Sequence, residues 1–292
     1  MNTPTPLAGL IAFVVPATIV LAQAPFQNLD FELAQVATQA FPERVPFSSA
    51  LPYWQGVTAG LPATEASYNG LLLDFPQIGL YDQENLGPRS LWDPIFGNYS
   101  ASLMADVGSW ASDKAELFQT GLIPAEARSI RFATTAEPLT QAIGLKPEDW
   151  SLSLLVNGMA VSYFPLETHT NYVLWGANIS PQSGTVAEIR FSLHTTQPPL
   201  PAYDAGIALG LDGIEFSPLP VPAILKQPRL ASGGSFQFLL FSQSGETYTV
   251  QFSTNLTNWM TLTNVSEGTN PVRIVDPGAS NAPVRFYRTV SP

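Results

Sequence analysis

A chain of 292 residues that is 45% hydrophobic and only 12% charged can bury a substantial core, and with no Cys it does so without disulfides. The lack of Cys excludes thiolate zinc sites, iron–sulfur clusters and cysteine nucleophiles. A formal net charge of −11 argues against a nucleic-acid partner, because phosphate binding wants a basic surface. The charged share is about half that of an ordinary soluble protein. Water-facing side chains must therefore be largely Ser, Thr, Asn and Gln, a chemistry that suits a β-protein.

In chain order, residues 1–29 carry no charged side chain, and Asp30 is the first. Leu7 to Ala22 is apolar and ends in Val20-Leu21-Ala22, the small-x-small pattern of a secretory cleavage site. Residues 1–22 are thus read as a signal peptide, with Gln23 left as the mature N-terminus. No basic residue precedes the apolar run, which departs from the usual leader. Pro16 and the short length argue against an uncleaved membrane span. The expected destination is secreted or cell surface, with no integral span after the leader is removed.

Residues 25–217 form a long region that holds most of the acidic side chains. Pro218, Pro220, Pro222 and Pro228 mark 218–229 as an extended linker, and 230–292 is a small second module. The charge balance shifts at the same place, from −13 before Lys226 to +2 from Lys226 onward.

Alternation of polar and apolar residues predicts strands at Ser129–Ala133, Ser151–Leu154, Glu188–Leu193 and Gly213–Phe216. Tyr248–Ser253 and Val284–Val290 read the same way in the second module. Asn157-Gly158, Ser183-Gly184, Ser244-Gly245 and Pro277-Gly278 are turn formers between strands. Two short stretches read as helical, Asp113 to Gln119 and Thr140 to Ile143. The fold class is therefore all-β: an antiparallel jelly-roll sandwich followed by a second, small β-sandwich-like module.

The strands and the motifs between them have an order that resembles the galactose-binding-like jelly-roll of many carbohydrate-binding modules. Asn28-Leu29-Asp30-Phe31-Glu32 resembles that group's first strand, and Pro52-Tyr53-Trp54 a following Pro-x-Trp element. Gly97-Asn98-Tyr99-Ser100, Gln119 to Pro124 and Val156-Asn157-Gly158 also match, and Leu211 to Phe216 resembles the last strand. The match spans about 26–217. The tail resembles a small β-module that ends many secreted bacterial proteins, through Tyr248 to Leu256, Trp259, Leu262, Thr263 and Arg285 to Arg288.

The first resemblance implies a structural calcium ion where the first and last strands meet. Its matching residues are Glu32 and Asp212, with Asp30 and Glu215 as neighbours. Two carboxylates would need backbone carbonyls and water to complete a shell of six to eight oxygens. No other cofactor is required. His169 and His194 are too isolated to suggest a transition-metal site, and neither has a Gly-x-Ser-x-Gly turn to serve.

Aromatics in turn-rich segments are the informative ones, because a core role is harder to assign there. Trp92 with Asp93 and Trp110 with Asp113 are ligand candidates, since a sugar's C–H face stacks on a ring while a carboxylate binds its hydroxyls. Tyr81 and Asp82 join them on a segment read as a loop. Trp54, Trp150 and Trp175 are assigned to the core. The favoured reading is a secreted, non-catalytic protein that binds a polysaccharide or cell-surface glycan. A structural or adhesive surface protein without a sugar site is the alternative, followed by a glycoside hydrolase with an unrecognised carboxylate pair.

Overall fold

The computed structural model describes residues 24–37, 43–70, 76–83, 93–106, 114–140, 147–195, 206–231, 233–242, 247–266 and 271–290. Among them the strands form four sheets. A nine-stranded sheet runs in the spatial order Glu43–Pro46, Glu65–Tyr68, Gln77–Asp82, Tyr99–Asp106, Gly206–Ser217, Ser129–Thr135, Tyr172–Asn178 and Tyr163–Thr168. Its ninth strand, Leu139–Thr140, pairs beside Gly206–Ser217. A six-stranded sheet runs Met159–Val161, Trp150–Val156, Val186–Thr195, Ala115–Leu122, Gln55–Thr58 and Leu61–Pro62. Strands pair antiparallel except where Glu65–Tyr68 meets Gln77–Asp82, and Pro25 adds an isolated parallel bridge to Leu122.

The two sheets share one core. Leu103, Ile130, Phe132 and Leu209 from the larger sheet pack with Leu117, Leu154, Ile189 and Phe191 from the smaller. Phe132 and Phe191 meet edge to face at 5.0 Å between the sheets, a geometry that ring quadrupoles favour. Trp54 is buried, and Trp150 and Trp175 pack at the margin of this core. The architecture is an all-β sandwich, as the alternation predicts.

Three local expectations change. Asn28 to Glu32 is a turn rather than a strand, because Asn28 and Phe31 both take positive φ, 52° and 59°. Ala115 to Gln119 of the first helical stretch lie in the strand Ala115–Leu122, where Ala115, Leu117, Gln119 and Gly121 alternate inward. Its neighbours Val186–Thr195 and Gln55–Thr58 pair along both edges, and that pairing overrides local preference. The second helical stretch begins at the end of the short strand Leu139–Thr140, and residues 141–143 lie outside the described residues, as do the leader and the Ser244-Gly245 turn. The predicted linker overlaps the strand Ile224–Leu230. Its register shifts between Lys226 and Arg229, which accommodates Pro228, a residue with no N–H to give the ladder.

The C-terminal residues form two three-stranded sheets, Ile224–Leu230 with Phe236–Phe241 and Val272–Asp276, and Met260–Ser266 with Thr247–Ser253 and Phe286–Val290. Phe238, Leu240, Val250 and Ile274 make a core separate from the first. Beside it, buried Asp276 accepts hydrogen bonds from Arg285 Nη1 at 2.7 Å, Tyr287 Oη at 2.8 Å and the Gly278 amide at 2.9 Å. Asp276→Ala would leave the mostly buried Arg285 guanidinium without its counter-ion. A loss of about 3 kcal/mol is expected, seen as an earlier transition of this part in calorimetry of the full chain. An unchanged thermogram would contradict that role.

Candidate functional site

The candidate site is built at one end of the sandwich, where four chain segments meet. The first is the turn around Asn28. Its Oδ1 accepts the Leu33 amide at 2.9 Å, its Nδ2 donates to the Pro52 carbonyl at 3.1 Å, and its own carbonyl accepts Trp54 Nε1 at 2.8 Å. Asn tolerates the left-handed region better than other side chains do, which suits it to this turn. Phe31 is fully buried and lies 5.6 Å from Trp54. The Leu29 carbonyl accepts the Ile214 amide at 3.0 Å and ties this turn to the second segment.

That second segment is a bulge in the strand Gly206–Ser217, where the register shifts between Asp212 and Glu215. The third is the turn that enters Tyr99–Asp106. Ser100 Oγ donates to Asp212 Oδ2 at 2.6 Å, the Phe96 amide donates to the same oxygen at 3.0 Å, and the Gly213 amide donates to Oδ1 at 2.6 Å. From the solvent side, Glu32 Oε1 accepts the Asn98 amide at 2.7 Å and the Tyr99 amide at 3.0 Å. Its Oε2 accepts Asn98 Nδ2 at 2.8 Å. Gly97 sits between them at φ +60°, where a Cβ would collide with the Glu32 carboxylate.

The fourth segment is the turn between Tyr163–Thr168 and Tyr172–Asn178. Phe96 is 40% exposed and meets Tyr172 edge to face at 5.1 Å. Tyr172 stacks on His169 at 4.3 Å, and His169 Nε2 lies 3.0 Å from Glu167 Oε2. Gly213, at φ +55°, has no Cβ, and one would stand 2.7 Å from the Phe96 ring. The result is a short ridge of three rings, Phe96, Tyr172 and His169, with the exposed carboxylate Glu167 at its end.

Electrostatics beneath the ridge centre on Asp212, which is fully buried. Burial pushes its carboxyl up to about 7, against the pull of its three donors, and nearby Glu32 adds to the rise. Tyr81, opposite Ser100 in the sheet, is also buried, and desolvation raises its phenol well above the usual value.

The sequence-derived candidates separate clearly. Trp92, Trp110 and Asp113 lie outside the described residues. Asp93 is exposed and leads directly into the Phe96 turn. Tyr81 and Asp82 are not on an exposed loop: they end the strand Gln77–Asp82 and are 1% and 7% exposed. The Asp82 carboxylate accepts Tyr68 Oη and Asn69 Nδ2, so it braces the neighbouring strands and does not face a ligand. Sequence reasoning misses Phe96, Tyr172 and His169. Phe96 carries the signal that singles out the tryptophans, an aromatic within a Pro, Gly and Asn turn.

Glu32 and Asp212 do meet across one turn, as the resemblance implies, but their surroundings are donors. Six N–H and O–H groups point at the two carboxylates. Asp30 turns an oxygen toward the Glu32 amide at 3.4 Å, and Glu215 stands opposite Arg131 in the sheet. Among the described residues no group of three or more His, Asp or Glu side chains is placed to hold a metal ion. A calcium shell takes six to eight oxygens, and the residues present do not fit one.

No family model and no curated protein matches the chain. Among solved structures it is similar to a Stig cyclase, Fisc, from Fischerella sp. TAU, at 14% identity and a TM-score of 0.37. That match covers 66% of this chain and 95% of the cyclase. It is also similar to a beta-1,2-glucanase from Parabacteroides distasonis, at 10% identity and a TM-score of 0.25. Here 68% of this chain is covered, but only 30% of the glucanase. At these TM-scores neither likeness establishes a shared fold or an activity. Among the described residues no helix is long and apolar enough to cross a membrane.

Proposed function

We propose that this protein is a non-catalytic glycan-binding protein acting outside the cell, and that it engages sugar rings on the Phe96–Tyr172–His169 ridge. The observation that carries the reading is the held exposure of Phe96. Burying a Phe side chain stabilises a protein by about 1.5–3 kcal/mol, yet this ring is kept at the surface by a turn that two carboxylates fasten. A sugar's C–H face packs on such a ring, and the exposed carboxylates Glu167 and Asp93 supply acceptors for hydroxyls nearby in the chain. On the open face of the smaller sheet, Glu116 and Glu188 both engage Arg190, at 2.8 and 2.9 Å. A carboxylate pair in that state is poorly placed for glycoside hydrolysis.

The test is depletion of the full chain from solution by a panel of insoluble and soluble polysaccharides. One glycan should retain it, and Phe96→Ala or Tyr172→Ala should weaken retention at least about tenfold, the loss of one good stacking contact with its buried area. Retention that survives both substitutions would remove the ridge from the reading. The structural or adhesive alternative draws on the exposed Leu230, Val275, Val284 and Val290 of the C-terminal part. It predicts no retention on any glycan.

A further inference from the structure

The geometry points to a metal-free clamp: Glu32 and Asp212 hold the Ile95–Ser100 turn by direct hydrogen bonds, where the resemblance places calcium, and so fix the Phe96 ring. The fixing of the ring for a ligand rests on the glycan reading; the clamp itself does not.

Three features carry it. First, the turn offers hydrogen-bond donors to the carboxylates. Phe96, Asn98 and Tyr99 each direct a backbone N–H at one of them, and Asn98 Nδ2 and Ser100 Oγ complete the set. A cation would meet the positive ends of these dipoles where it needs oxygens.

Second, Gly97 at φ +60° turns the Asn98 and Tyr99 amides onto a single oxygen. Successive N–H groups gathered around a left-handed residue form a small anion-binding concavity. Here the anion is part of the chain, the Glu32 carboxylate. Third, the two carboxylates grip the turn from opposite sides, Asp212 fully buried and Glu32 at the margin of solvent. Buried Ser100 Oγ joins the inner grip to the backbone by also accepting the Ile95 amide at 2.9 Å. The bonds to Glu32 are charge-assisted, the stronger kind, and five donors from one six-residue turn leave no role for a bridging ion.

The experiment uses the full chain with calcium chloride, with EDTA and with neither. Equilibrium dialysis against radioactive calcium reads binding, thermal melting reads stability, and amide exchange reads the turn. The clamp predicts no stoichiometric calcium, melting temperatures within about 1 °C of one another, and protected Phe96, Asn98 and Tyr99 amides throughout. Glu32→Ala should speed exchange at Asn98 and Tyr99 by about tenfold or more. Glu32→Gln keeps an acceptor oxygen in place and should restore most of the protection, although it removes the charge a calcium ion would need.

One calcium per chain would overturn the proposal. So would a drop of several degrees in EDTA, or a Gln variant as damaging as the Ala variant. If these clamp results hold and no polysaccharide is retained, the glycan reading falls and the clamp stands. If calcium binds while Phe96→Ala still abolishes retention, the clamp falls and the glycan reading stands.

Discussion

Gly97→Val is expected to destabilise the protein by at least about 4 kcal/mol and to abolish glycan retention. Two costs combine. The native φ of +60° is a left-handed conformation, which costs an L residue about 1–2 kcal/mol and a β-branched one more. The new Cβ would also occupy the space of Glu32 Oε1, forcing the carboxylate off three donors. Hydrogen bonds to charged groups are worth about 1.5–3 kcal/mol each. Gly158 is the natural control: it too has positive φ, 76°, but a Cβ there meets nothing within 4 Å. Gly158→Val should therefore show the backbone cost alone and leave retention intact. Urea denaturation of both variants checks the difference, and equal losses would contradict the account of Gly97.

Asp212 should make stability fall as pH rises from about 4 to about 7. Its carboxyl titrates at about 7 in the folded protein against 3.8 for an ordinary Asp. In that window the native state holds a proton that the unfolded chain has released, so the group's stabilisation is full below about 4 and lost by about 7. The integrated effect is on the order of 4 kcal/mol, from about 1.4 kcal/mol for each pH unit crossed in that window. The chemistry has a place for that proton. Of the three groups at the carboxyl, the Phe96 and Gly213 amides can only donate, whereas Ser100 Oγ can also accept. The measurement is the difference in unfolding free energy between the natural chain and Asp212→Asn across pH 4–8, in which other carboxylates cancel. A flat difference curve would mean that Asp212 is ionised throughout.

Much of the sandwich was legible in the sequence because polar–apolar alternation over four to six residues reads as a half-buried strand. Ser129–Thr135, Trp150–Val156 and Val186–Thr195 all follow it. Short or mixed patterns were not decisive. Asn28-Leu-Asp-Phe-Glu alternates as a strand would, but its Asn and Phe take positive φ so that Phe31 can reach Trp54. The Ala-Glu-Leu-Phe-Gln run has helical composition, yet two flanking strands claim its backbone.

The site was legible only in part, because its bonds are long-range. Phe96 and Asp212 are 116 residues apart, and Glu32 and Asn98 are 66 apart. Resemblance brought Glu32 and Asp212 together, but nothing in the spacing showed that amides would surround them. For the same reason Tyr81 and Asp82 read as loop ligands, since Ser100, which stands opposite Tyr81, and Tyr68 and Asn69, which bond Asp82, lie on other strands or beside them. The His169–Tyr172 stack depends on a tight turn, with the His169 amide donating to the Tyr172 carbonyl at 2.9 Å.

Hydroxyl-radical footprinting of the full chain, read by mass spectrometry with and without the polysaccharide that retains it, decides whether the ridge holds the glycan. Phe96, Tyr172 and His169 should be protected together on binding, while exposed side chains elsewhere, such as Leu61 and Met159, keep their reactivity. A retained protein whose ridge stays as reactive as before would show that the glycan is held elsewhere.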